Sequence, residues 1–211
     1  MAGPVSLDAL DLAALLCSRV CHDLISPVGA IINGLEVLDE ESNEETKIFA
    51  LELIRKSAQQ ASARLQFCRL AFGAAGSAGA QIDLGDAEKT ARGFLQDDKT
   101  KLNWNLPRTL LAKNRVKLLL NLLMIAGQAI PRGGALNVDP IGDGDTMGFR
   151  VAASGLNARV PPAAASLAGV PEGGAVDAHA VQPYYTGLLA KTCGLALSAA
   201  LEGEAVVVTA R

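Results

Sequence analysis

Apolar residues near the start of the chain recur alternately three and four apart: Leu7, Leu10, Ala14, Cys17, Cys21, Leu24, Val28, Ile31, Leu35 and Leu38. A heptad seam of this kind predicts one long amphipathic helix. Ser6 is its expected N-cap, with Asp8 in the first turn, and the helix is expected to end near Asp39, where acidic residues cluster. A second seam, Leu51, Ile54, Ala58, Ala61, Leu65, Cys68 and Phe72, predicts another helix. Ser42 and Glu45 form a capping-box pattern at its start, and Gly73 closes it. Two helices joined by a short loop make an antiparallel hairpin. Val20, Ile25 and Ile32 flank the first seam and stay wet in a lone hairpin. A second hairpin would cover them, so a homodimer built on a four-helix bundle is expected. The competing expectation is that the rest of the chain covers the hairpin.

The pattern changes after residue 73. Ala74–Ala80 contains Gly76, Ser77 and Gly79, a linker composition. Beyond it, short apolar segments alternate with helical ones. Strands are predicted at Gln81–Leu84, Lys101–Leu106, Ala135–Val138, Met147–Ala153, Leu195–Ala199 and Ala205–Thr209. Helices are predicted at Asp86–Asp97, Ala112–Ile130 and Val181–Thr192. The fold class is therefore α plus α/β, with a helical hairpin over 1–74 and a layered α/β domain over 81–211. Ser154–Asp177, rich in Gly, Pro and Ala, is left without an element, and no internal repeat is present.

Composition narrows the function classes. Half of the 211 residues are hydrophobic but only 4% are aromatic, so the core must be aliphatic. The net charge of -3 argues against nucleic acid or an anionic membrane as the main partner. No uninterrupted apolar run reaches the length needed to span a bilayer, and the N-terminus lacks the basic start and apolar stretch of a signal peptide, so a cytoplasmic protein is expected. The four cysteines, Cys17, Cys21, Cys68 and Cys193, show no CxxC spacing. Three of them fall on helical seams and read as small buried thiols rather than metal ligands.

The chain has two histidines, His22 and His179. His22 follows the seam residue Cys21, so its side chain is turned about 100° away from the seam, toward water or a partner. Ser18, Arg19, Ile25, Ser26 and Gly29 share its face. Most are small, which leaves room for an in-line approach to a ring nitrogen. A neutral imidazole can attack phosphorus near pH 7 and pass the group on. Asp23 stands next to it as a group to hold the ring tautomer or take its proton, although one step along a helix is awkward geometry for that. Pro27 cannot donate to the Asp23 carbonyl, so the helix should bend there. Arg55, Lys56 and Arg64 add basic character to the second helix, equally well explained by solvation. His179 lies in the Gly/Ala-rich region and reads as structural or incidental.

Cys21-His22-Asp23-Leu24-Ile25-Ser26-Pro27-Val28 resembles the phosphoacceptor box of sensor histidine kinases, and Asn121-Leu122-Leu123-Met124-Ile125-Ala126 resembles their asparagine box. The departures carry as much weight. Ile125 stands where the kinases hold Mg²⁺ and ATP with a second asparagine, Ala152-Ala153-Ser154-Gly155 lacks the adenine-binding acid, and Thr186-Gly187-Leu188-Leu189 keeps one glycine of the phosphate loop. Asp143-Gly144-Asp145 reads as a turn between strands rather than a displaced nucleotide motif.

The run Leu12–Ile31 is similar to the opening of the dimeric histidine phosphotransferases of alphaproteobacteria. That resemblance implies a degenerate kinase ATPase-like α/β sandwich, no ATP binding, and phosphoryl relay through His22 in a cell-cycle pathway. The implied partners are the receiver domain of a hybrid histidine kinase (CckA-like) and response regulators (CtrA- and CpdR-like). Mg²⁺ is expected from the receiver, and no cofactor or metal is expected on this chain. Arg159 is an expected docking contact from the α/β domain. The rival expectations are an active histidine kinase, a phosphatase that drains receivers, and a non-catalytic dimeric adaptor.

Overall fold

A computed structural model describes residues 7–40, 43–73, 80–162, 164, 167 and 176–211. Helix α1 spans Ala9–Glu40 and helix α2 spans Glu44–Ala71, packed side by side as a hairpin. The cap of α1 is Asp8 itself, whose Oδ1 accepts from the amides of Leu10 (2.8 Å) and Asp11 (2.9 Å). Ser6 lies outside the described residues. So does Ser42, and Asn43 caps α2 by accepting from the amides of Glu45 and Thr46. The proposed linker is likewise outside the described residues, except for Ala80.

The packing corrects the seam assigned to α1. The residues turned toward α2 are Leu12, Leu16, Arg19, Asp23, Pro27, Ala30, Gly34 and Leu38, again spaced three and four apart. Gly34 marks close approach, because a Cβ there would meet Ile54 Cγ1 at 2.6 Å. The stripe read from the sequence lies to one side of this line. Leu10, Val28 and Leu35 are exposed, and so are Cys17 and Cys21. Leu51 and Leu65 on α2 are exposed as well. Of the two cysteines predicted on α1, neither is a buried thiol, whereas Cys68 is buried. The true inner line was hidden because it carries an arginine, an aspartate, a proline and a glycine.

Past the hairpin come β1 (Gln81–Asp83), α3 (Leu84–Leu95), β2 (Thr100–Trp104), β3 (Leu110–Ala112), α4 (Lys113–Gln128), β4 (Gly134–Ile141), β5 (Gly148–Ser154), α5 (Val181–Cys193), β6 (Leu197–Glu202) and β7 (Ala205–Ala210). β1 and β3 form a small antiparallel pair. The main sheet runs β2-β4-β5-β7-β6, parallel between β2 and β4 and antiparallel elsewhere. A parallel step needs a crossover, and α4 supplies it. The predicted strands and helices are all present, with shifts of a few residues at their ends. β3, only three residues long, was not predicted. Asp143-Gly144-Asp145 falls at a single turn of 3-10 helix between β4 and β5.

α4 is the centre of the core. Every residue from Val116 to Ala126 is buried. It lies between the sheet, where it meets β5 and β7, and a layer made by α2, α3 and α5. Asn121 is buried without exposure, and its amide donates to the carbonyls of Ala71 (3.2 Å) and Lys117 (2.9 Å). Gln182 Nε2 in turn donates to Asn121 Oδ1 (2.9 Å) and to Thr186 Oγ1 (3.2 Å). This buried polar cluster ties the end of α2 to α4 and α5. Gly194, in the left-handed region at φ 67°, ends α5 as a C-cap.

Candidate functional site

The side chain of His22 is 72% exposed on α1. Asp23 beside it is only 12% exposed, since it lies on the inner line. Its carboxylate accepts from Arg19 Nε at 3.1 Å, and its other oxygen lies 3.5 Å from His22 Nδ1. One carboxylate therefore addresses a guanidinium one turn back and the imidazole next door. The geometry that looked awkward in sequence is met because Asp23 turns inward while His22 points out.

Pro27 leaves the Asp23 carbonyl without its usual helical donor. Arg64 of α2 fills the gap, its Nη1 donating to that oxygen. Arg64 is thus a supporting side chain of the site rather than a solvated surface base. The orphan carbonyl was visible in the sequence, but a donor 41 residues away on another helix was not. Cys68 lies close behind this group. Its thiol is pushed up to about 11, chiefly by burial and then by the Asp23 charge, against the opposing pull of Arg19 and Arg64.

Of the residues predicted to share the His22 face, Ser18, Ile25 and Ser26 are exposed, with Ile25 at 69%. Gly29 is half-buried, with open space beyond its Cα where a side chain would stand. Arg19 is turned inward to Asp23 instead of outward to a partner. Arg159 is exposed on the loop after β5, its amide donating to Ala129 O at the end of α4. No hydrogen bond or ion pair among the described residues joins it to His22.

His179, read from the sequence as structural or incidental, lies next to His22 in the fold. Its ring stands edge-on to His22, with ring centroids 6.3 Å apart and planes at 75°. It belongs to a turn ahead of α5 in which Asp177 Oδ1 accepts from the amides of His179 (2.9 Å) and Ala180 (2.8 Å). The only signal in the sequence was scarcity, since these are the chain's two histidines.

Among the described residues, no group of three or more His, Cys, Asp or Glu side chains could hold a metal ion. The positions aligned with kinase nucleotide ligands are engaged elsewhere. Ile125 is fully buried in the core. Thr186 lies inside α5, with its hydroxyl donating to Gln182 O at 2.8 Å. A Cβ at Gly187 would meet Leu167 O at 2.7 Å, so peptide backbone fills the space beside that glycine.

A profile of the histidine phosphotransferase C-terminal domain matches residues 84–205. The chain is 52% identical over 211 residues to protein phosphotransferase ChpT of Brucella abortus (strain 2308), covering 100% of both. The chain belongs to the histidine phosphotransferase family. The solved structure of a bacterial phosphotransferase superposes with a TM-score of 0.89 at 50% identity, covering 100% of both chains. A far looser likeness is to Acinetobacter baumannii histidine kinase AdeS, at 11% identity and TM-score 0.47 over 90% of this chain and 95% of that one. The helical hairpin followed by a mixed α/β sheet domain is the fold of this phosphotransferase.

Proposed function

We propose that His22 is the phosphoacceptor of a relay between receiver-domain aspartates. The observation that carries this reading is the posture of the ring. Nδ1 faces the Asp23 carboxylate at 3.5 Å, which leaves Nε2 as the nitrogen open to a visitor. In the cycle, the Nε2 lone pair attacks the phosphorus of an aspartyl phosphate. The oxygen–phosphorus bond breaks, and a carboxylate leaves. The proton stays on Nδ1 beside Asp23, so the cation formed on the phosphorylated ring is met by a negative charge. A second receiver's carboxylate reverses the steps. Positioning does most of the work in such a transfer.

The relay runs without ATP and without a metal or cofactor of its own. Support comes from the chemistry of the former ligand positions: a buried isoleucine, a helix-bound threonine and a blocked glycine offer nothing to Mg²⁺ or phosphates. Mg²⁺ belongs to the acidic pocket of the receiver. The donor is the receiver of a CckA-like hybrid kinase, and the acceptors are CtrA- and CpdR-like response regulators in the cytoplasm. Residues 1–74 act as dimerisation and phosphotransfer domain, and residues 81–211 as an ATPase-like domain without nucleotide.

The working unit is a homodimer. Eleven of the fifteen exposed large hydrophobic residues among the described residues lie on the hairpin, including Leu10, Ile25, Ile32, Leu35, Leu51 and Leu65. A groove of about 450 Å³ between α1 and α2, lined by Leu16, Cys17, Val20, Leu65, Cys68 and Phe72, continues this face. A second hairpin completes it as a four-helix bundle. α1 is also long and apolar enough to cross a bilayer by length and composition alone. Its hydropathy sums two apolar faces, and the Arg19, His22 and Asp23 cluster at mid-helix suits water and a protein partner better than lipid.

The test is phosphoryl transfer from a phosphorylated receiver to the full-length protein and on to a second receiver. Acid-labile phosphate is expected on the wild type and absent from His22→Ala. Label taken directly from ATP, or full relay by His22→Ala, overturns the reading.

A further inference from the structure

We propose that His179 is a second imidazole of the transfer site, a donor that grips the phosphoryl group while His22 carries it. This deepens the relay reading and rests on it. The two rings meet from parts of the chain 157 positions apart, and each points out of its own element. At 6.3 Å between centroids they stop short of a hydrogen bond to each other. Edge-on rings at this separation are immediate neighbours, so a group carried on one ring stands beside the other. A phosphoryl group bound to Nε2 of His22 is carried on the ring that His179 adjoins.

The turn that holds His179 is fixed rather than loose. Asp177 accepts two backbone amides within it, and Val181 N donates to Asp177 O at 2.9 Å. Behind it, Gln182 is locked to Asn121 in the buried cluster. In the first turn of α5, the Tyr184 hydroxyl accepts from Leu7 N at 3.2 Å, so the start of α1 is joined to the start of α5. The charged groups around the two rings are Asp177 on the turn, and Arg19 and Asp23 on α1. Arg19 is committed to Asp23. Among the described residues, His179 brings a ring N–H to His22 from another element.

The chemistry balances without a further proton. As the bond from the receiver's aspartate to phosphorus breaks and the Nε2–phosphorus bond forms, charge spreads over the three remaining oxygens. A ring N–H of His179 donates to one of them and keeps its proton. Donors aimed at charge that develops in the transition state act on the rate more than on docking.

The experiment uses full-length protein, a phosphorylated receiver as donor and a second receiver as acceptor. Wild type, His179→Ala, His179→Phe and His179→Gln are compared. Phe keeps an aromatic ring without a donor, and Gln keeps a donor without a ring. The turnover rate is expected to fall about tenfold in the Ala and Phe variants, with KM for the receiver changed far less, and Gln restores most of it. The ³¹P resonance of phosphorylated His22 is expected to move in Phe and to stay near the wild-type position in Gln. Wild-type rates in His179→Phe overturn the role, as does a loss confined to KM or a failure of Gln to rescue. Absence of label on the wild-type protein sinks the relay itself, and the role of His179 with it; normal wild-type labelling with unaffected variants removes only the role.

Discussion

Helices α1 and α4 are both apolar, yet they are treated in opposite ways by the fold. Eleven residues of the 16-residue α4 are buried, whereas two of the 32 in α1 are, Pro27 and Gly34. α4 has found neighbours on every side within its own chain. α1 packs mainly on α2, with a smaller contact to α5, and spends the α2 contact on an unusual line of polar and small residues. Apolar content alone therefore does not locate a core; what matters is whether the partner surface belongs to the same chain. On α1 the large hydrophobes stay exposed while Arg19 and Asp23 pair on the inner line.

The contrast can be broken most severely in α4. Leu119→Ala, at a fully buried position, is expected to cost about 2–5 kcal/mol in urea unfolding. Next comes the inner line of the hairpin. Arg64→Ala strips the Asp23 carbonyl of its replacement donor and is expected to lower stability by about 1–3 kcal/mol, with slower labelling of His22. A loss of stability with unchanged labelling would separate Arg64 from the site.

On the outer stripe, Ile32→Lys and Leu35→Lys are expected to weaken the dimer by about 1–2 kcal/mol each, read by sedimentation. The circular dichroism of the hairpin should hardly change, because both residues are half exposed in the single chain. Equal unfolding of the monomer would place them in its core. Cysteine labelling sharpens the same point. Cys68, buried with its thiol at about 11, should resist maleimide at pH 8 in every state. Cys17 and Cys21 should react slowly at concentrations that favour the dimer and quickly on dilution.

The smallest effect is electrostatic. The amide of Ala180 above all, opposed by burial and then aided by the amide of His179, holds the Asp177 carboxyl below the usual carboxylate range. Its folded value being depressed, its stabilisation is present above the unfolded carboxylate value and disappears as pH falls through the folded one. Asp177→Asn should therefore unfold more easily than wild type at pH 7, with the difference closing in acid.

Much of the fold was legible because period and length carry it. The heptads marked both hairpin helices, and the apolar segments marked six of the seven strands. β3 escaped because three residues carry no period. The choice of stripe on α1 escaped for a deeper reason. Leu10, Val28 and Leu35 outscore Arg19, Asp23 and Gly34 on any hydrophobic pattern, although the latter face α2. At the site, His22 is exposed as expected, although Cys21, from which its direction was reckoned, is exposed too. Arg64 and His179 did not follow, since both arrive from distant segments whose placement depends on tertiary packing.

The Asn121 amide, once a resemblance to a nucleotide box, works here as a bolt. By gripping Ala71 at the foot of the hairpin and Gln182 at the head of α5, it fastens the sheet layer to the helices at a set angle. The sheet layer, the foot of the hairpin and the first turn of α5 are thereby held as one piece.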